Sequence, residues 1–199
     1  MNQYEETQPA VDYSHHQYSA GTDVSYRLFD AARIGVYGNY AIRRYEVLPA
    51  RELDGTRFTL NPALEYQYMG VGMVLRQRMT DSLWAVLDYS ISDREDEYVG
   101  YDDYRRHSAR ARLEFNSRKI GARLAVAHRD YEFANAFAFD TPAGGDKALT
   151  STSAELDVDY RVWRALSITA FARLRLTESS DPRYEYDQSQ VAIGMKWAM

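Results

Sequence analysis

Apolar residues recur at every second position along most of this chain, and no other feature limits its fold as strongly. Val191, Ile193, Met195, Trp197 and Met199 alternate with Gln190, Ala192, Gly194, Lys196 and Ala198 up to the last residue. Ala154, Leu156, Val158, Tyr160 and Val162 alternate with Glu155, Asp157, Asp159 and Arg161. After Trp163-Arg164-Ala165 the pattern resumes in Leu166, Ile168, Ala170, Ala172, Leu174 and Leu176. A period of two puts neighbouring side chains on opposite faces of a strand. Similar runs cover 18–28, 32–42, 83–91, 107–115 and 120–128. No stretch carries a helical period, so the chain reads as all-β hairpins over 17–199, preceded by a polar segment over 1–16.

The stretch 58–79 breaks phase. Phe58, Leu60, Leu64, Tyr66 and Tyr68 are even-numbered, whereas Val71, Met73, Leu75 and Met79 are odd-numbered. The flip at Met69-Gly70 predicts either a tight turn between two strands, giving about ten in all, or a bulge within one, giving about nine.

Composition narrows the class without deciding it. The mean hydropathy is −0.55 and 27% of the 199 residues are charged, which resembles a soluble protein. No apolar run reaches the ~18 residues of a membrane helix, but alternating strands never form such a run. The 17 tyrosines suit interfacial aromatic girdles and would equally suit a soluble β-sandwich. The absence of cysteine excludes disulfides, thiolate metal sites, cysteine nucleophiles and covalent haem attachment. A net charge of −5 argues against a nucleic-acid partner. The first eight residues have neither a basic nor an apolar leader segment, so an exported form is expected to be a mature chain or a piece of a longer one.

Connection lengths alternate. Those at 29–31, 80–82, 116–119 and 163–165 are short, and those at 48–56, 93–104, 134–147 and 178–183 are longer and more polar. Short periplasmic turns and long external loops sort in this way in outer-membrane barrels. A Greek-key sandwich has no reason to sort them.

The last strand reads Ala192-x-Gly194-x-x-Trp197-x-Met199. Here, and in the general strand pattern of 17–199, the chain resembles bacterial outer-membrane β-barrels of the porin-like kind. Their C-terminal assembly signal runs polar–x–Gly–x–x–aromatic–x–aromatic. Gly194 and Trp197 match, while Ala192 and Met199 depart at the polar and terminal positions. The resemblance implies an antiparallel up-and-down transmembrane β-barrel with a periplasmic C-terminus. It also implies contact with lipid and lipopolysaccharide, and recognition by the outer-membrane assembly machinery. An odd strand count points to the C-terminal part of a larger barrel, so that further barrel strands or a periplasmic partner are expected partners; a closed ten-stranded barrel is the alternative.

In such a barrel the polar face lines the lumen. Its basic residues are Arg27, Arg33, Arg43, Arg76, Arg78, Arg106, Arg110, Arg112, Arg123, Arg129, Arg161, Arg173, Arg175 and Lys196. Its acidic residues are Asp23, Glu65, Asp88, Glu114, Glu155, Asp157 and Asp159, half as many. Charged rings set pore selectivity, so the leading functional expectation is a channel or export pore favouring anionic solutes, with no cofactor. The same residues also read as a wall of neutralising pairs with no transport role, and a structural sheath or anchor around a periplasmic partner protein is one alternative. A lipid hydrolase or acyltransferase is another, needing a serine near a histidine and an orienting group. No nucleophile motif is present, and Ser108 alternates to the face opposite His107.

Turn lengths predict registers. A four-residue turn at 116–119 sets Arg112 opposite Arg123, Arg106 opposite Arg129 and His107 opposite His128. The histidine pair is a weak metal candidate, since two imidazoles alone hold a metal poorly. The turn at 163–165 sets Glu155 opposite Arg173, and that at 80–82 sets Arg78 opposite Trp84, in reach of a cation–π contact. His15-His16 has no expected partner. The acidic and aromatic loop 93–104 lacks calcium-loop spacing and reads as a solvated loop.

Overall fold

The computed structural model describes residues 2–4 and 13–197, which leaves Met199, the last position of the expected C-terminal assembly signal, outside the described residues. The alternating runs form one antiparallel sheet. Its strands are β1 (Asn2–Tyr4), β2 (His15–Phe29), β3 (Ala32–Pro49), β4 (Ala63–Arg78), β5 (Leu83–Asp96), β6 (Tyr104–Asn116), β7 (Ile120–Phe137), β8 (Asp146–Trp163), β9 (Leu166–Ser179) and β10 (Tyr186–Trp197). Spatial order equals chain order, so the nine long strands run up and down with the three-residue β1 on the outer edge of β2. No α-helix occurs among the described residues; three single-turn 3-10 segments sit in the loops.

The sheet is not closed. Among the described residues β10 pairs only with β9, and its apolar residues are open to solvent: Val191, Ile193 and Met195 are each more than three-quarters exposed (78%, 79% and 77%).

Short turns lie at one end and long loops, over 50–62, 97–103, 138–145 and 180–185, at the other. Several strands run further than the apolar alternation does. β5 extends to Asp96, β7 to Phe137, and β8 starts at Asp146, consuming much of the expected loops 93–104 and 134–147. Ladder hydrogen bonds join backbone groups and so continue through polar pairs such as Asp93↔Arg105. Phe58 and Leu60 fall instead in the β3–β4 loop.

Met69-Gly70 is neither a turn nor a bulge. β4 runs unbroken, and its register with β3 and β5 passes through Tyr40↔Met69 and Gly70↔Ser92 without a shift. The phase flips because each half of β4 is apolar on a different face. Met69, Val71, Met73 and Leu75 belong to the exposed apolar face of the sheet. Leu64, Tyr66 and Tyr68 lie on the polar face at the long-loop end, where Leu48, Ala50, Leu64 and Tyr66 form a buried cluster with Tyr45 and Tyr68 against it.

The β6–β7 register also corrects expectation. Ser117 N–H donates to Ile120 O at 2.8 Å, and Asn116 pairs with Gly121, so only Arg118 and Lys119 form the hairpin tip. That shift by two places Glu114, not Arg112, opposite Arg123, and Ser108, not Arg106, opposite Arg129. Like charges directly opposed are unfavourable, and this register avoids both repulsions. It also parts the histidines, setting His107 opposite Asp130 and His128 opposite Ala109.

Candidate functional site

Directly paired residues share a face, so one chain of pairs follows the polar face across the sheet. Arg78 pairs with Trp84, Trp84 with Glu114, Glu114 with Arg123, Arg123 with Asp157, Asp157 with Phe171, and Phe171 with Ala192. Counting by twos from these pairs places Arg76, Arg106, Arg110, Arg112, Arg129, Glu155, Asp159, Arg173, Arg175 and Lys196 on that same face. Glu65 is the exception. It lies on the opposite face, opposite Arg44, whose Nε donates to it at 2.7 Å.

Contacts on the polar face skip strands. Strands two apart are separated by roughly 9.5 Å, so such contacts need long side chains leaning over a concave surface. Tyr37 on β3 donates to Asp88 on β5 at 3.0 Å, Arg76 on β4 to Glu114 on β6 at 2.9 Å, and Arg110 on β6 to Glu155 on β8 at 3.4 Å.

Each acid is shared among several bases. Glu114 takes Arg76 and also Arg112, at 2.8 Å. Glu155 takes Arg110 and Arg173, the latter directly opposite at 2.9 Å. Asp157 holds Arg123 at 2.9 Å, and Lys196 lies 4.0 Å from Asp159. Among the described residues, Arg78, Arg106, Arg129 and Arg175 have no carboxylate within 4.0 Å. Among the described residues, the Nε atoms of Arg106, Arg110, Arg173 and Arg175 are shielded from solvent and find no acceptor, whereas that of Arg112 faces Glu114. The face therefore holds unused donors beside its ion pairs. Trp84 receives its cation from Arg76, 4.7 Å from the ring, rather than from Arg78.

The histidines find separate partners. His107 Nδ1 lies 2.9 Å from the Tyr89 hydroxyl, and His128 Nδ1 lies 2.9 Å from Thr152 Oγ1. No group of three metal-ligating side chains converges among the described residues. Near the long loops, His16 Nε2 lies 3.2 Å from Glu46, and the His15 ring packs 5.2 Å from that of Tyr45.

The long-loop end holds an arrangement that the alternating pattern does not reveal. The β3–β4, β7–β8 and β9–β10 loops meet at Asp140, whose carboxylate takes Arg51 at 3.0 Å and Arg183 at 3.1 Å. Phe139 and Asp140 both have φ of +57°, a left-handed conformation costing a non-glycine residue of order 1 kcal/mol or more. External contacts hold them there: buried Asp181 accepts from Phe139 N–H at 3.0 Å and from Arg183. The Arg183 guanidinium holds the Asp181 carboxyl well below the usual carboxylate range. Gly55, with φ of +86°, packs against this loop so closely that a Cβ would sit 2.1 Å from Asp140 O. Tyr101 is fully buried beneath, accepts from Phe137 N–H at 3.1 Å, and has its phenol pushed up by burial. Burial also raises the Asp103 carboxyl, although Asp96 N–H donates to it.

Under these loops lies a cavity of about 390 Å³ walled by tyrosines and cations. Arg94 stacks between Tyr66 and Tyr104, 4.3 Å from each ring, and donates to Asp102 O; Tyr66 donates to Asp102 Oδ2 at 2.8 Å. Lys147 Nζ sits 4.0 Å from the Tyr184 ring and 5.0 Å from that of Phe133. Tyr66, Tyr68, Tyr104 and Tyr131 thus line the polar face instead of girdling the apolar one, because they wrap cations. The sequence signal for this chamber was the clustering of tyrosine, arginine and aspartate in 94–104, read as a solvated loop.

No family model matches this chain, and no curated protein matches it. Among solved structures the chain is similar to the crystal structure of BauA, the ferric preacinetobactin receptor from Acinetobacter baumannii. The TM-score is 0.49 and the identity 15%, over 92% of this chain and 37% of that one. The chain thus spans little more than a third of that receptor, and a likeness at this level says nothing of ligand or activity.

Proposed function

We propose that this chain forms part or all of a β-barrel wall in the bacterial outer membrane, with its polar face toward an aqueous path that favours anionic solutes. One observation carries the reading. Successive long strands present an exposed apolar surface on one side and, on the other, a charged surface with unused arginine donors. A contiguous exposed apolar face of this extent needs cover, and lipid covers a sheet face continuously. The C-terminal Gly194 and Trp197 match the assembly signal and suit recognition by the assembly machinery in the same membrane.

The open edges bear on how the wall is completed. Unpaired backbone groups in hydrocarbon cost several kcal/mol each, which favours closure. β2 and β10 run in the same direction, so an all-antiparallel closure places an odd number of strands between them. β1 lies against β2 in the direction such a closure uses.

The shared carboxylates Glu114 and Glu155 favour a second reading, in which the paired wall is a sheath around a partner protein and conducts nothing. Planar-bilayer recordings under a potassium chloride gradient separate the two. The pore reading expects a reversal potential on the anion side, and a cation-side value would sink it. An absence of conductance, together with a stoichiometric co-purifying partner, establishes the sheath.

A further inference from the structure

We propose that the loop-side chamber is a binding site for a ring-bodied organic anion, a carboxylate carried on an aromatic or sugar ring. Its volume, about 390 Å³, lies in the range of small-molecule sites. The lining contains four cations, Arg51, Arg57, Arg94 and Lys147, and two acids, Asp102 and Asp140. Arg51 is committed to Asp140, and Arg94 to Asp102 and two rings. Among the described residues, Arg57 and Lys147 have no carboxylate within 4.0 Å.

Arg57 is held in place by a bridge to Arg51, which puts two like charges opposite each other. Such a pairing is unfavourable unless counter-charges answer both sides. Asp140 answers Arg51, but Arg57 Nε is shielded from solvent with no acceptor among the described residues. A shielded guanidinium donor without an acceptor is costly and fits the fork geometry of a carboxylate. Among the described residues, Lys147 makes only ring contacts, with Tyr184 and Phe133. Cations resting on ring faces retain most of their charge for an anion approaching from the cavity. The walls themselves are ring faces and edges, with Tyr104, Tyr131 and Phe133 packed 5.2–6.4 Å apart. Flat surfaces of that kind take the face of another ring, aromatic or pyranose, better than an extended alkyl chain.

The site needs only the folded chain and does not rest on the pore reading. Calorimetric titration of the full chain in detergent micelles tests it with benzoate and D-glucuronate against benzyl alcohol, D-glucose and acetate. At least one ring carboxylate is expected to bind about tenfold more tightly than its neutral counterpart and than acetate. Which one does so identifies the ring class. Lys147→Gln and Arg57→Gln should each weaken binding severalfold, and Lys147→Arg should retain it. Equal affinity for charged and neutral probes overturns the proposal, as does wild-type affinity in both glutamine variants. If Lys147→Gln fails to fold, by heat-modifiable migration in gels, Arg57→Gln decides, because its side chain lies in a loop. Bilayer conductance is measured separately, so a missing site and a missing pore are distinguishable.

Discussion

Tyr37 lies across Gly72 and donates its hydroxyl proton to Asp88 Oδ1 at 3.0 Å, joining β3 to β5 over the backbone of β4. A Cβ on Gly72 would stand 2.3 Å from the Tyr37 ring, so the bridge exists only because position 72 has no side chain. Gly72→Val is expected to displace the ring and cost about 1–3 kcal/mol, as overpacking does. Tyr37→Phe, which loses only the hydrogen bond, should cost about 1 kcal/mol. Urea unfolding in micelles compares the two, and a neutral Gly72→Val would show that the ring does not rest there.

Glu155 is shared by Arg110 and Arg173, so its charge controls two guanidiniums. Glu155→Gln should move the reversal potential further toward anions while lowering stability only slightly. The arginine side chains are more than a third exposed, and screening keeps the stability loss to about 1 kcal/mol or less. Arg173→Gln should move the potential the opposite way. Equal potentials in both variants would mean that this face lines no ion path.

The Asp181–Arg183–Asp140–Arg51 network ties three loops together. The Asp181 carboxyl is depressed in the folded state, so its contribution is complete above the ordinary aspartate value near ~3.9 and declines as pH falls below it. Limited proteolysis over 138–145 should therefore be slow at neutral pH and faster in acid. Asp181→Asn should already show the fast rate at pH 7; unchanged cleavage in that variant would remove the network as the cause of loop order.

The Trp163 and Trp197 rings meet edge to face, centroids 6.4 Å apart, where β8 and β10 flank the last turn. If the proposed outer-membrane reading holds, Trp197→Ala should reduce heat-modifiable protein in outer-membrane fractions severalfold, by losing that contact and the aromatic position of the proposed assembly signal. Trp163→Ala loses only the contact and should reduce it less. Equal reductions would assign the whole effect to packing.

Much of the sheet was legible in the residues themselves. Alternation in Ala154–Leu176 and Gln190–Trp197 identified strands, and the same period sorted arginines from aliphatics, because a pleated strand sends neighbours to opposite faces whatever surrounds it. Arg44–Glu65 escaped this sorting, since charged side chains occupy the otherwise apolar face near the loops. The β6–β7 register escaped it too. Whether four residues or two form the tip depends on the Ser117–Ile120 hydrogen bonds, which alternation does not encode.

Period alone determined the all-β class and the division into a polar and an apolar face, because each is a property of adjacent residues along one strand; the up-and-down order was an expectation from the resemblance that the strand pairing bears out. Tertiary structure alone decided that Met69-Gly70 interrupts nothing, that Glu114 and not Arg112 faces Arg123, and that Tyr66, Arg94, Lys147 and Tyr184 line one cavity. The physical reason is separation along the chain: Arg51 and Asp140 are brought together by curvature of the sheet and closure of its loops, and no local pattern records a contact between residues so far apart.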